Sequence, residues 1–159
     1  MQNTIIIFIH ILGAALAIGA GVFGLLVLLP LAGKREGEPK DETSLAYILM
    51  DKLAPTMFVG ILALVFSGVY YLMENYTDQV NLKDGYYNVL GIKLVFVLTA
   101  FFASAYQTFM LKPDIANLDL QPERRKRVPA TLKKMAATGK IALAAVGLAV
   151  FMGIYLARY

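Results

Sequence analysis

The chain has 159 residues, 58% hydrophobic and only 16% charged, and its mean hydropathy is strongly positive. An ordinary soluble domain carries about 25% charged residues, so a single membrane-embedded domain is expected. There is no Cys, one His and no Trp. That excludes disulfides, thiolate metal sites, iron–sulfur clusters and a zinc hydrolase needing several His, together with any Ser-His-Asp site not built on the single imidazole.

Residues 1–33 carry no charged side chain. Leu53 to Met73, Leu94 to Leu111 and Ile141 to Ala157 carry none either. A bilayer-spanning helix needs about 20 apolar residues. Four spans are predicted, at about Thr4–Leu31, Pro55–Met73, Tyr87–Leu111 and Thr138–Arg158. The alternation of membrane β-strands is absent, and no basic region opens the first block as it would in a signal peptide. The expected fold is all-α: one integral membrane four-helix bundle over residues 1–159, up-down-up-down, with no internal repeat.

Charge sets the expected orientation. The connection Ala32 to Ala54 carries Lys34, Arg35, Lys40 and Lys52. The connection Lys112 to Ala137 carries Lys112, Arg124, Arg125, Lys126, Arg127, Lys133 and Lys134, whereas Glu74 to Tyr86 carries only Lys83. Lys and Arg of short loops stay on the cytoplasmic side. Residues 32–54 and 112–137 are therefore expected inside, and both termini outside, across the cell inner (plasma) membrane. All six prolines lie on the inner side, while Tyr70, Tyr71, Tyr76, Tyr86, Tyr87, Tyr155 and Tyr159 gather on the outer side as an interfacial belt. The basic run Glu123–Arg127 fits an inside loop attracted to anionic lipid at about 1 kcal/mol per basic residue, and no nucleic acid is expected. Segment Thr43–Ala54 is amphipathic, and either lies on the inner surface or extends the second span through Pro55.

Helices in lipid meet through small residues. His10, Ala14, Ala17, Gly21 and Gly24 share one face of the first span. Ala142, Ala145, Ala149 and Gly153 do so in the fourth, and the second offers Gly60, Ser67 and Gly68. His10 thus points into the bundle. Lys93 is the only charged residue deep in a span, and Ala100, Ser104 and Gln107 continue its face. His10 and Lys93 each lie about 6 residues into their spans, roughly 9 Å at 1.5 Å per residue, so both are expected at one outer level with Met152 and Ser67. An ionisable residue at such depth is functional by default. The plain alternatives are a Lys93 that snorkels to the headgroups and a His10 that bonds Ser67 or a backbone carbonyl.

The first span, H-I-L-G-A-A-L-A-I-G-A-G-V-F-G-L-L-V-L-L-P from His10 to Pro30, resembles the copper-resistance D-like superfamily of four-span membrane proteins. Its early His, later Gly pair and terminal Pro match His10, Gly19 or Gly21, and Pro30. The third span, G-Y-Y-N-V-L-G-I-K-L-V-F-V-L from Gly85, is similar to the family segment that ends in a Lys, here Lys93. The superfamily includes copper-transport domains and protoporphyrinogen oxidases associated with haem b. The resemblance implies that His10 is an axial haem ligand and Lys93 its charged neighbour. On that reading Gly13, Ala14 and Ala17 give the ring room, Met152 or Met73 supplies a second ligand, and Lys93 pairs with a propionate. An outer haem would suit electron transfer with a quinone or a periplasmic electron carrier. As a metal site, His10 and Met152 form only a thin donor set for copper. Two other classes remain: an accessory subunit of a larger membrane complex or homo-oligomer, and a copper or small-solute transporter, although no broken helix marks mid-membrane.

Overall fold

The structure, a computed structural model, describes residues 2–33, 45–74, 85–116 and 126–156. Four long helices account for nearly all of them. Helix α1 covers Gln2–Phe23, passes through a π turn at Gly24–Leu28 and continues over Leu29–Gly33. Helix α2 is Leu45–Glu74. Helix α3 covers Tyr86–Tyr106, a π turn at Gln107–Leu111 and Lys112–Ala116. Helix α4 is Val128–Leu156. Each is long and apolar enough to cross a bilayer, over Thr4–Leu31, Asp51–Glu74, Tyr86–Ile115 and Val128–Leu156. No strand occurs among the described residues.

The pattern is that of a bundle in lipid. Large apolar side chains such as Phe8, Leu26, Phe66, Phe102, Phe109 and Phe151 face outward, and small ones fill the interior. Ala17, Ala100, Ala142 and Ala145 are buried around Met57 and Ile61. Without a hydrophobic drive between helices, backbone approach through small residues is what brings them together. It is closest between α1 and α2. A Cβ on Gly60 would lie 2.8 Å from the Ala17 nitrogen and 2.9 Å from the Gly13 oxygen. Gly21 of α1 faces Met57 of α2, and His10 faces Gly68, so positions later in α1 meet positions earlier in α2. Helix α3 packs chiefly on α4, and α1 and α2 each contact one member of that pair.

Three helices extend beyond the expected boundaries. Residues 45–54, 112–116 and 128–137, read from the sequence as parts of connections, are helical. Their apolar positions explain it: Ala54, Ile115, Val128, Leu132 and Met135 form a second buried cluster with Leu28 and Leu111. Helix α2 continues through Pro55, so the amphipathic segment before it extends the span. Asp51 sits in α2 and pairs with Lys112 of α3 at 3.1 Å. Thr108 donates to the Ala54 carbonyl at 3.1 Å at the same level. Gln107 donates to the Met135 carbonyl at 2.8 Å and to Thr138 Oγ1 at 3.0 Å, which joins α3 to α4. Residues 1, 34–44, 75–84, 117–125 and 157–159 lie outside the description, and with them half of the basic residues used for orientation and the tyrosines at 76 and 159.

Candidate functional site at the tyrosine end

The bundle has a basic end, near Asp51, Lys112 and Lys126, and a tyrosine end, near Tyr70, Tyr71, Tyr86, Tyr87 and Tyr155. Close packing stops short of the latter. Beyond Gly13, Ser67, Ala100 and Ala149 no described residue is fully buried. The half-buried residues there include His10, Gly68, Lys93, Met152 and Gly153.

His10 is held from α2. Its Nδ1 lies 2.8 Å from Ser67 Oγ. The Ser67 hydroxyl itself donates to the Ala63 carbonyl, with a longer contact of 3.3 Å to the Leu64 carbonyl. A hydroxyl has one hydrogen, and this one is committed within α2. Ser67 Oγ must therefore accept, and His10 Nδ1 must carry the proton. The resulting tautomer leaves the lone pair on Nε2. Gly68 of α2 lies beside the ring, where a Cβ would stand in ordinary contact 3.5 Å from His10 Cε1. Ser67 fills a position that any small residue could fill sterically, but only a hydroxyl fixes the tautomer.

Lys93 is placed by α4. Its Nζ lies 3.2 Å from where a Gly153 Cβ would be, so the missing side chain of Gly153 admits the ammonium. Among the described residues Lys93 has no carboxylate partner. His10 on α1 is held against α2, and Lys93 on α3 lies against α4. Lys93 is directed at α4 and half-buried instead of lying free along the surface.

The other sequence candidates separate. Met152 is half-buried beside Gly153. Met73 is 74% exposed and turned away from the bundle, so it does not join the site. Ala14 is half-buried, whereas Gly13 and Ala17 are fully buried. The expectation that Gly13 and Ala17 open space for a ring is corrected. A Cβ on Gly13 would lie 2.9 Å from the Gly60 oxygen, so the backbone of α2 already occupies that space. Gly13 and Ala17 serve helix contact because a glycine opposite a small residue lets two backbones touch. Among the described residues no three His, Cys, Asp or Glu side chains converge as a metal site. The sequence reading placed Gly153 only on a packing face and missed its contact with Lys93. The available signal was a glycine on the fourth span at the depth of the lysine.

Haem b can be tested against these residues. The donor set fits: an imidazole whose Nδ1–H is anchored and whose Nε2 lone pair remains is the form in which His binds a metal, and such anchoring is a regular companion of ligation. An ammonium with no carboxylate partner among the described residues fits a propionate. No protein-family model, no curated protein and no solved structure matches the chain.

Proposed function

We propose that this is a multi-pass protein of the inner (plasma) membrane, related to the copper-resistance D-like superfamily, which holds haem b at its tyrosine end for electron transfer or a membrane redox reaction. The observation that carries the reading is the Ser67–His10 hydrogen bond, which leaves Nε2 of the single histidine as a metal-binding lone pair. His10 would hold the iron through its imidazole nitrogen, with Ser67 keeping the ring's orientation. Lys93 would pair its ammonium with a propionate, which would offset the cost of keeping that charge in the bundle. Met152, half-buried near the same end, would be the candidate for a second ligand. When bound, the haem iron supplies one-electron chemistry, with a quinone or a periplasmic carrier as the natural exchange partner.

The proposed topology is up-down-up-down with both termini outside. Two features support it. Later positions of α1 meet earlier positions of α2, and Lys and Arg concentrate at the end opposite the tyrosines. The test is the absorption spectrum of detergent-purified protein from haem-replete cells. A Soret band is expected that His10→Ala abolishes and Lys93→Ala shifts or weakens. A colourless preparation, or a band indifferent to His10→Ala, refutes the reading.

A further inference from the structure

A second polar group inside the bundle has a different geometry from the His10 site and does not depend on it. Gln107 of α3 is 6% exposed. Its amide nitrogen donates twice, to the Met135 carbonyl at 2.8 Å and to Thr138 Oγ1 at 3.0 Å. The orientation of the amide follows from its partners. A carbonyl can only accept, and the Thr138 hydroxyl has committed its hydrogen to the Lys134 carbonyl at 2.8 Å. Both acceptors therefore demand N–H, and Oε1 is turned away from α4. Among the described residues no donor reaches Oε1. A buried amide oxygen without a donor is costly, most of all in hydrocarbon.

Gln107 lines a narrow cleft of about 50 Å³, partly open to the surroundings, to which all four helices contribute. Both π turns begin on cleft residues, Gly24 in α1 and Gln107 in α3. In the first the Leu29 N–H bonds the Gly24 carbonyl, and in the second the Lys112 N–H bonds the Gln107 carbonyl. Such wide turns inside α-helices occur frequently at functional sites. Every other side chain on the cleft wall is Gly, Ala, Leu or Met. A water needs two to four polar partners, and the side chains here offer one. The wall instead matches a hydrocarbon that carries one hydrogen-bond donor.

We propose that this cleft binds the hydroxyl-bearing head of a membrane-soluble alcohol, with Gln107 Oε1 accepting its hydrogen and Leu25, Leu53 and Met57 lying along its hydrocarbon. The hydroxyl can belong to a quinol or to a diacylglycerol; the recognition chemistry is the same. Gly24 provides a way to close the site without disturbing the fold, because a Cβ there meets nothing within 4 Å.

The experiment uses the full chain in phosphatidylcholine vesicles. The probes are a long-chain alcohol with a diazirine beside its hydroxyl, and the methyl ether of the same compound. After irradiation, peptides containing Leu25, Leu53, Met57 and Met135 are examined for label. The alcohol is expected to label them about tenfold more than the ether. Gln107→Leu should lower alcohol labelling to the ether level, and Gly24→Leu should suppress both. Equal labelling by the two probes, or labelling indifferent to Gly24→Leu, overturns the proposal. Competition by a short-chain quinol or by dioctanoylglycerol distinguishes the two sources of hydroxyl, and competition by neither overturns the assignment. None of these readouts depends on bound haem.

Discussion

Replacing Gly60 by alanine tests the closest contact in the bundle. The added Cβ would stand 2.8 Å from the Ala17 nitrogen, 2.9 Å from the Gly13 oxygen and 3.2 Å from Ala17 Cα. Ordinary contact begins at 3.4 Å, so α1 and α2 must separate by about 0.6 Å (3.4 minus 2.8). The atoms in the way are backbone, so no side-chain rotation relieves the clash. A radial gap of this size forfeits about a quarter of the dispersion attraction along the contact. Overpacking of this kind costs about 1–3 kcal/mol, which lowers the folded-to-unfolded ratio roughly fivefold to 150-fold. The proper control is Gly147→Ala, where a Cβ meets nothing within 4 Å. That change should be neutral or stabilising by up to about 1 kcal/mol, since alanine is the better helix former. Unfolding in mixed micelles, followed by far-UV circular dichroism, compares the two. Equal midpoints for Gly60→Ala and Gly147→Ala would refute the close approach of α1 and α2 at Gly60.

Three further predictions concern the polar sites. Ser67→Ala removes the main acceptor of the His10 Nδ1–H, and should destabilise the protein by about 1–3 kcal/mol and weaken haem retention about 10–100-fold. Ser67→Thr keeps the hydroxyl and should restore both; haem titration and micellar unfolding read the pair of variants. Gly153→Leu fills the place now taken by the Lys93 ammonium, so Lys93 should become more reactive toward an amine-labelling reagent, as mass spectrometry of the labelled peptide would show; unchanged labelling contradicts the placement of Nζ against α4. Asp51→Asn breaks the pair with Lys112, whose side chains are 33% and 30% exposed, and should cost no more than about 1 kcal/mol, an effect that shrinks as salt is raised in the unfolding assay.

Much of the architecture follows from composition and spacing alone. Four uncharged blocks of sufficient length impose four helices, because no other open structure satisfies its backbone in hydrocarbon. The faces of those helices are equally legible. Ala17, Ala100, Ala142, Ala145 and Ala149 lie buried where the small-residue stripes put them, and Ser104 and Gln107 lie on the Lys93 face. Counting residues gives His10 and Lys93 one expected depth, because an α-helix rises a constant 1.5 Å per residue.

What spacing cannot encode is which neighbour meets which face. The ends of α2, α3 and α4 were misplaced because Val128, Leu132, Met135 and Ala54 look like loop residues beside charges, yet bury one another once the helices converge. Gly13 and Ala17 read equally well as room for a ligand or as contact for a helix, and only the position of Gly60 decides for contact. The proton on His10 Nδ1 depends on a hydroxyl far away in sequence, and the orientation of the Gln107 amide depends on two acceptors of α4. Chain periodicity determines the spans and their inward faces, because both are properties of one helix. Tautomer, amide orientation and available space are properties of pairs of helices, so tertiary packing alone decided them.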